Sequence, residues 1–131
     1  MGNSLLRSVT RTVSILKGRR GTEYTCSVNP GGVYLKWLTL EGESGDRRFG
    51  WEDIASVVAY KRDICMYDMI CIICTLNNGF NFEFNEEMPC WQSLVDALPR
   101  YLSGCPPFSE WWNPVAVPAF ATNERILFQR R

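Results

Sequence analysis

The chain has 131 residues, enough for one domain with a core of its own and no need of covalent staples. Its 46% hydrophobic and 21% charged residues are ordinary for a globular protein, and its formal net charge is zero. It contains no histidine, which excludes Ser-His-Asp and Cys-His catalysis, HExxH zinc chemistry and mixed Cys/His zinc sites.

The charge is unevenly placed. Residues 1–22 carry Arg7, Arg11, Lys17, Arg19 and Arg20 and no acid. The remainder carries nine basic and fourteen acidic groups, a net of −5. An acidic body lacks the basic face that nucleic acid requires. The basic residues 7–20 could touch an anionic membrane surface or form a solvated end. In residues 3–16 two periods compete. Leu5, Val9, Val13 and Leu16 form a helical stripe with Ser4 as N-cap, whereas Val9, Val13 and Ile15 also alternate as in a strand. A short N-terminal helix is the favoured reading. The start does not read as a secretory signal, because Arg7 and Arg11 break its apolar run. No stretch approaches the roughly 20 apolar residues of a membrane span.

From Glu23 the period is two. Glu23–Val28 alternates, Asn29-Pro30-Gly31-Gly32 reads as a turn, and Val33–Leu40 resumes as a strand. Glu41–Asp46 is a polar, Gly-containing hairpin tip, and Arg47–Phe49 leads into Trp51–Ile54. Ser56–Arg62 is a further strand. Met69–Leu76 is the most apolar one and is expected to be central. Asn77-Asn78-Gly79 is a hairpin turn, after which Phe80, Phe82 and Phe84 share one face.

The period then becomes helical. Trp91, Leu94, Val95, Leu98 and Tyr101 form an amphipathic stripe within a helix over about 89–102, and Pro99 should kink or end it. The Phe82 face is expected to pack beneath this stripe. The tail from Phe108 is aromatic and proline-punctuated, with Trp111 and Trp112 adjacent on an extended segment, one packed and one partly exposed. It closes on a short strand at Glu124–Gln129.

Six cysteines (26, 65, 71, 74, 90 and 105) are expected to be reduced core thiols without a disulfide, since no secretion signal accompanies them. Cys71-Ile-Ile-Cys74 is formally a CxxC. On a strand, residues three apart point to opposite faces, so the two sulfurs should diverge rather than bind zinc or cycle redox. No cofactor or metal motif is present, and the glycines form no nucleotide-binding loop.

Six or seven strands followed by one amphipathic helix, with Trp51-Glu52-Asp53-Ile54, Asn77-Asn78-Gly79 and the Trp91–Leu98 helix in that order, resemble bacterial pleckstrin-homology-like (PH-like) domains. The chain is also similar to small bacterial antitoxin or immunity proteins that end in a Trp-containing segment and a strand like Ala121–Leu127. The resemblance implies an α+β, mainly antiparallel PH-like barrel or strongly curved sheet over residues 23–131, preceded by the basic segment 1–22. Its hairpin tip Glu41–Asp46 is acidic, unlike the basic tip of a phosphoinositide site.

The functional expectation is a cytoplasmic, non-enzymatic protein-binding module. Its most concrete form is an immunity protein that occludes a basic toxin domain; a peripheral lipid-binding domain is the alternative, and a small His-free enzyme is third. Loops and exposed aromatics carry binding more often than cores do. The candidate partner residues are therefore Asp63, Tyr67 and Asp68 in one connection, Glu83, Glu86 and Glu87 beside the next strand, and Trp111 and Trp112 in the tail.

Overall fold

The computed structural model describes residues 23–63, 68–117 and 123–130. The fold class is α+β. Strands β1 (Glu23–Asn29), β2 (Gly32–Leu38) and β3 (Ser44–Phe49) form an antiparallel meander. A single 3-10 turn (Trp51–Asp53) leads to β4 (Ile54–Asp63), β5 (Asp68–Leu76) and β6 (Asn81–Asn85). Helices α1 (Trp91–Tyr101) and α2 (Phe108–Ala116) follow, and β7 (Arg125–Gln129) returns to pair with β4. The second sheet has the order β6-β5-β4-β7, all antiparallel. Both sheets are open, and no closed barrel forms among the described residues. This corrects the barrel expectation. Strand order is legible from alternation and turn residues, but closure depends on pairing between the edges of two sheets, which a period-two pattern does not encode.

Local chemistry explains the first hairpin. Asn29 Oδ1 accepts from the Gly31 amide at 2.8 Å, and the Trp51 indole donates to the Asn29 carbonyl at 3.0 Å. Gly32 has φ +141°, and a side chain there would strike the Phe49 carbonyl and Gly50. Only glycine permits this close approach, which seats the turn against the start of the 3-10 turn.

The main core lies where α1 meets both sheets. Phe82, Phe84, Trp91, Leu94, Val95 and Leu98 belong to one buried cluster with Val33, Leu35 and Phe49. Phe49 stacks on Phe82 at 5.0 Å, and Trp51 on Tyr101 at 5.0 Å. Phe80 departs from the expected apolar face. It stands before β6 in the turn and is 45% exposed. The helix begins at Trp91 rather than 89, because residues 86–90 form turns. Pro99 is accommodated near its end, where the Leu102 amide still donates to the Leu98 carbonyl at 2.9 Å.

The expected extended segment at Trp111–Trp112 is instead α2. Pro107 stands at its N-cap and Pro114 inside it, so two prolines masked a nine-residue helix. Successive helical residues lie about 100° apart. Trp111 therefore faces the core at 1% exposure while Trp112 is 43% exposed. Phe108 packs edge-on against Trp111 at 4.8 Å.

The second sheet is buried on both faces. Cys74 belongs to the main cluster, while Cys71 joins Tyr60, Met69 and Ile73 on the opposite side. The two sulfurs of the CxxC do diverge, as strand geometry requires. Burial pushes the Cys74 thiol up to about 12 and the Cys105 thiol up to about 11.

One expectation about cysteine is overturned. Cys26 on β1 and Cys90 at the entry to α1 form a disulfide, with Cα atoms 5.6 Å apart and a sequence separation of 64. Their meeting depends on α1 packing against β1, a tertiary contact invisible in sequence spacing. Closing a loop of this length should contribute about 4 kcal/mol through the unfolded chain. Reduction of the native protein is expected to lower its melting temperature, read by calorimetry with and without reductant. An unchanged melting temperature would contradict this. In the core, Phe82→Ala should cost about 3–5 kcal/mol, whereas Phe80→Ala should cost less than about 1 kcal/mol, both measured by denaturant unfolding.

Candidate functional site

The chemistry concentrates at one end of the second sheet, where β4 finishes, β5 begins and β6 finishes. Asp63 pairs with Asp68 across the β4–β5 ladder, and the ladder then runs Arg62↔Met69 and Lys61↔Ile70. On the other side of β5, Cys71 pairs with Asn85. The Glu86 amide continues this pairing by donating to the Ile70 carbonyl at 3.1 Å, and its carboxylate accepts from the Ile70 amide at 3.1 Å. The backbone therefore brings Asp63, Asp68, Glu86 and Glu87 to the same sheet end. Glu86 and Glu87 are exposed. The Asp63 side chain and Tyr67 lie outside the described residues, as does the basic segment 7–20.

Lys61 and Arg62 are consecutive on β4, so their side chains leave on opposite faces. Lys61 is only 4% exposed. Its Nζ lies 3.2 Å from Asp68 Oδ2 and donates to the Ala116 carbonyl, the last residue of α2, at 2.6 Å. A cation at a helix C-terminus meets the negative end of the helix dipole. The same lysine thus fixes α2 to the acidic strand end. Trp112, one turn earlier on α2, and Val117, just after it, are exposed at 43% and 58%.

Glu83 is not a surface acid, which corrects the expectation for it. It is 3% exposed, and its Oε1 accepts from Arg62 Nη1 at 2.9 Å. Glu83 stands between Phe82 and Phe84, which face the main core, so strand parity sends it to the second buried face with Tyr60 and Cys71. Burial chiefly, and then the Glu83 charge, pushes Tyr24 up to about 12 and raises Tyr60 and Cys71 well above their ordinary values. Burial is the largest single influence on the Arg62 guanidinium and lowers it, but the Glu83 charge and hydrogen bond together with Tyr60 and Cys71 outweigh it, and Arg62 stands above its usual value. The arrangement holds a charge pair in place, with the Tyr60 hydroxyl and the Cys71 thiol against the Glu83 carboxylate.

Trp111 is likewise removed from the partner surface by its burial. The expected site therefore divides. Glu83 and Trp111 are interior, Asp68 is held by Lys61, and Glu86, Glu87 and Trp112 face solvent. Sequence reasoning missed Lys61, Arg62, Tyr60 and Tyr24. The available signal was two consecutive cations in an otherwise apolar strand, which require acids on both faces. A separate shallow groove of about 680 Å³ runs along β7 beside Gly104 and contains none of the expected partner residues.

No helix among the described residues is long and apolar enough to cross a membrane. Comparison with protein families, curated proteins and solved structures finds no match to this chain.

Lys61→Ala is expected to destabilise the protein by about 1–3 kcal/mol, because it removes a buried cation that contacts both Asp68 and the α2 carbonyl end. Denaturant unfolding measures this, and a cost below about 0.5 kcal/mol would make Lys61 an ordinary surface residue. Tyr24 also gives an alkaline signature. Its folded value of about 12 exceeds the ordinary 10.0, so folding favours the neutral phenol. The contribution is complete below about pH 10 and is lost as pH rises towards 12. Melting temperature should fall across that window, and Tyr24→Phe should flatten part of the fall.

Proposed function

We propose that this chain is a non-enzymatic protein-binding module, in its most concrete form an immunity protein that occludes a cognate bacterial toxin. One observation carries the reading. The β5–β6 pairing brings the exposed Glu86 and Glu87 to the sheet end where Lys61 holds Asp68 and the last carbonyl of α2, the helix that bears the exposed Trp112. Acids there would steer a basic partner, and Trp112 with Val117 would supply the apolar anchor. The net charge of −5 over residues 23–131 supports the same polarity of partner. The PH-like likeness stays part of this proposal, supported by the strand order and by α1 packing across the sheets. The lipid-binding alternative rests on residues 7–20, outside the described residues.

The proposed cytoplasmic location meets one opposing observation. Disulfides persist in oxidising compartments and are rare in the cytosol, so the Cys26–Cys90 bond favours either an oxidising location or a bond that opens.

The first test is genetic. The product of the neighbouring reading frame should be toxic in cells lacking this chain and should bind it in vitro. A neighbour that is harmless and does not bind overturns the proposal. Within the complex, Glu87→Lys should slow association and weaken its salt dependence, since an exposed rim charge acts on capture. Trp112→Ala should raise the dissociation rate by about 30-fold, the effect of a hot-spot aromatic. Stopped-flow and surface-binding kinetics separate the two. Wild-type rates in both variants would remove this end of the molecule as the interface.

A further inference from the structure

The two sulfurs of the disulfide are not equivalent. Cys26 lies half-buried on β1, the outer strand of the three-stranded sheet, which among the described residues pairs with β2 alone. Cys90 is 4% exposed and stands at the N-cap of α1, where its carbonyl accepts from the Leu94 amide at 2.9 Å. The first turn of this 11-residue helix contains no acid. A thiolate formed at Cys90 would therefore meet the positive end of the helix without an acidic side chain of that turn opposing it. Thiol–disulfide exchange is fastest when the attacked sulfur is accessible and the departing sulfur is the better-stabilised thiolate. Relative exposure selects attack at Cys26, and the helix N-terminus favours Cys90 as the departing thiolate against the opposing effect of its burial.

We propose that Cys26–Cys90 is an exchangeable disulfide, opened by a dithiol that attacks Cys26 and expels Cys90. The thiolate of the reductant attacks Cys26 Sγ, and a mixed disulfide forms as the Cys26–Cys90 bond breaks. Cys90 leaves with the electron pair and takes a proton from water. The second thiol of the reductant then attacks the mixed disulfide, releases Cys26 as a thiolate that is also protonated, and closes its own disulfide. Two electrons pass to the protein, and the dithiol is oxidised.

The structural consequence is local. The bond ties β1 to the entry of α1, and α1 packs against β1. Opening it removes the covalent tether at the seam between the three-stranded sheet and the helix, and leaves the β4–β5 ladder untouched. The remaining described thiols do not compete. Cys71, Cys74 and Cys105 are buried, and burial raises each of them.

The test uses the full-length oxidised protein with glutathione as a monothiol probe, followed by rapid alkylation and peptide mapping. Glutathione should appear on Cys26, with alkylated Cys90, about tenfold more often than the reverse. Amide exchange after dithiothreitol should rise in β1 and the first turn of α1 and stay unchanged in β4 and β5. The Cys26→Ser/Cys90→Ser variant should reproduce that exchange pattern without reductant. Equal adducts, an excess at Cys90, isolation of the pair as free thiols, or resistance of the native bond to dithiothreitol would each overturn the proposal. A double variant as protected as the oxidised protein would overturn the unlocking of the seam.

Discussion

The structure depends on keeping two consecutive cations in a strand that is buried on both faces. Strand geometry sends Lys61 and Arg62 to opposite sides of β4, where Lys61 is buried and Arg62 is partly buried over a buried Glu83. An unpaired charge in such a place is far costlier than a hydrogen-bonded pair. Each cation therefore has its own acid: Asp68 for Lys61 on one face and Glu83 for Arg62 on the other. Two of the fourteen acids of the chain are thereby committed to the fold rather than to a partner.

This pairing also decides what the surface can offer. Lys61 reaches past Asp68 to the last carbonyl of α2, so the helix carrying Trp111 and Trp112 ends against the sheet terminus. Trp111 and Val115 turn inward at one helical turn's spacing, and Trp112 is left facing out. The exposed Trp112 and the exposed Glu86 and Glu87 then belong to one end of the molecule. The functional proposal rests on this combination, because exposed single apolar residues are common and carry little meaning alone.

Features carried by local periodicity were readable from the residues. The alternation of Val33 and Leu35, the Asn77–Gly79 turn and the Trp91–Leu98 stripe each specify an element through backbone geometry. The divergence of Cys71 and Cys74 followed from the same strand rule. Features carried by tertiary contact were not readable. Nothing in the spacing of Cys26 and Cys90 announces that a helix will bring them together. The prolines at 107 and 114 argued against α2, although they occupy its cap and its last turns. Glu83 reads as a surface acid beside Glu86 and Glu87, because sequence proximity does not reveal that the second face of the sheet is buried. In a sheet covered on both sides, a charge between Phe82 and Phe84 has no route to solvent.

The most direct measurement is a double-mutant cycle on Arg62 and Glu83, with Arg62→Met, Glu83→Gln and the double variant unfolded in denaturant. If the buried pair organises the sheet, each single change should cost about 2–4 kcal/mol, and the double should cost less than their sum by about 1–3 kcal/mol. Single changes within about 0.5 kcal/mol of wild type, with no coupling, would contradict the account and return Glu83 to the surface.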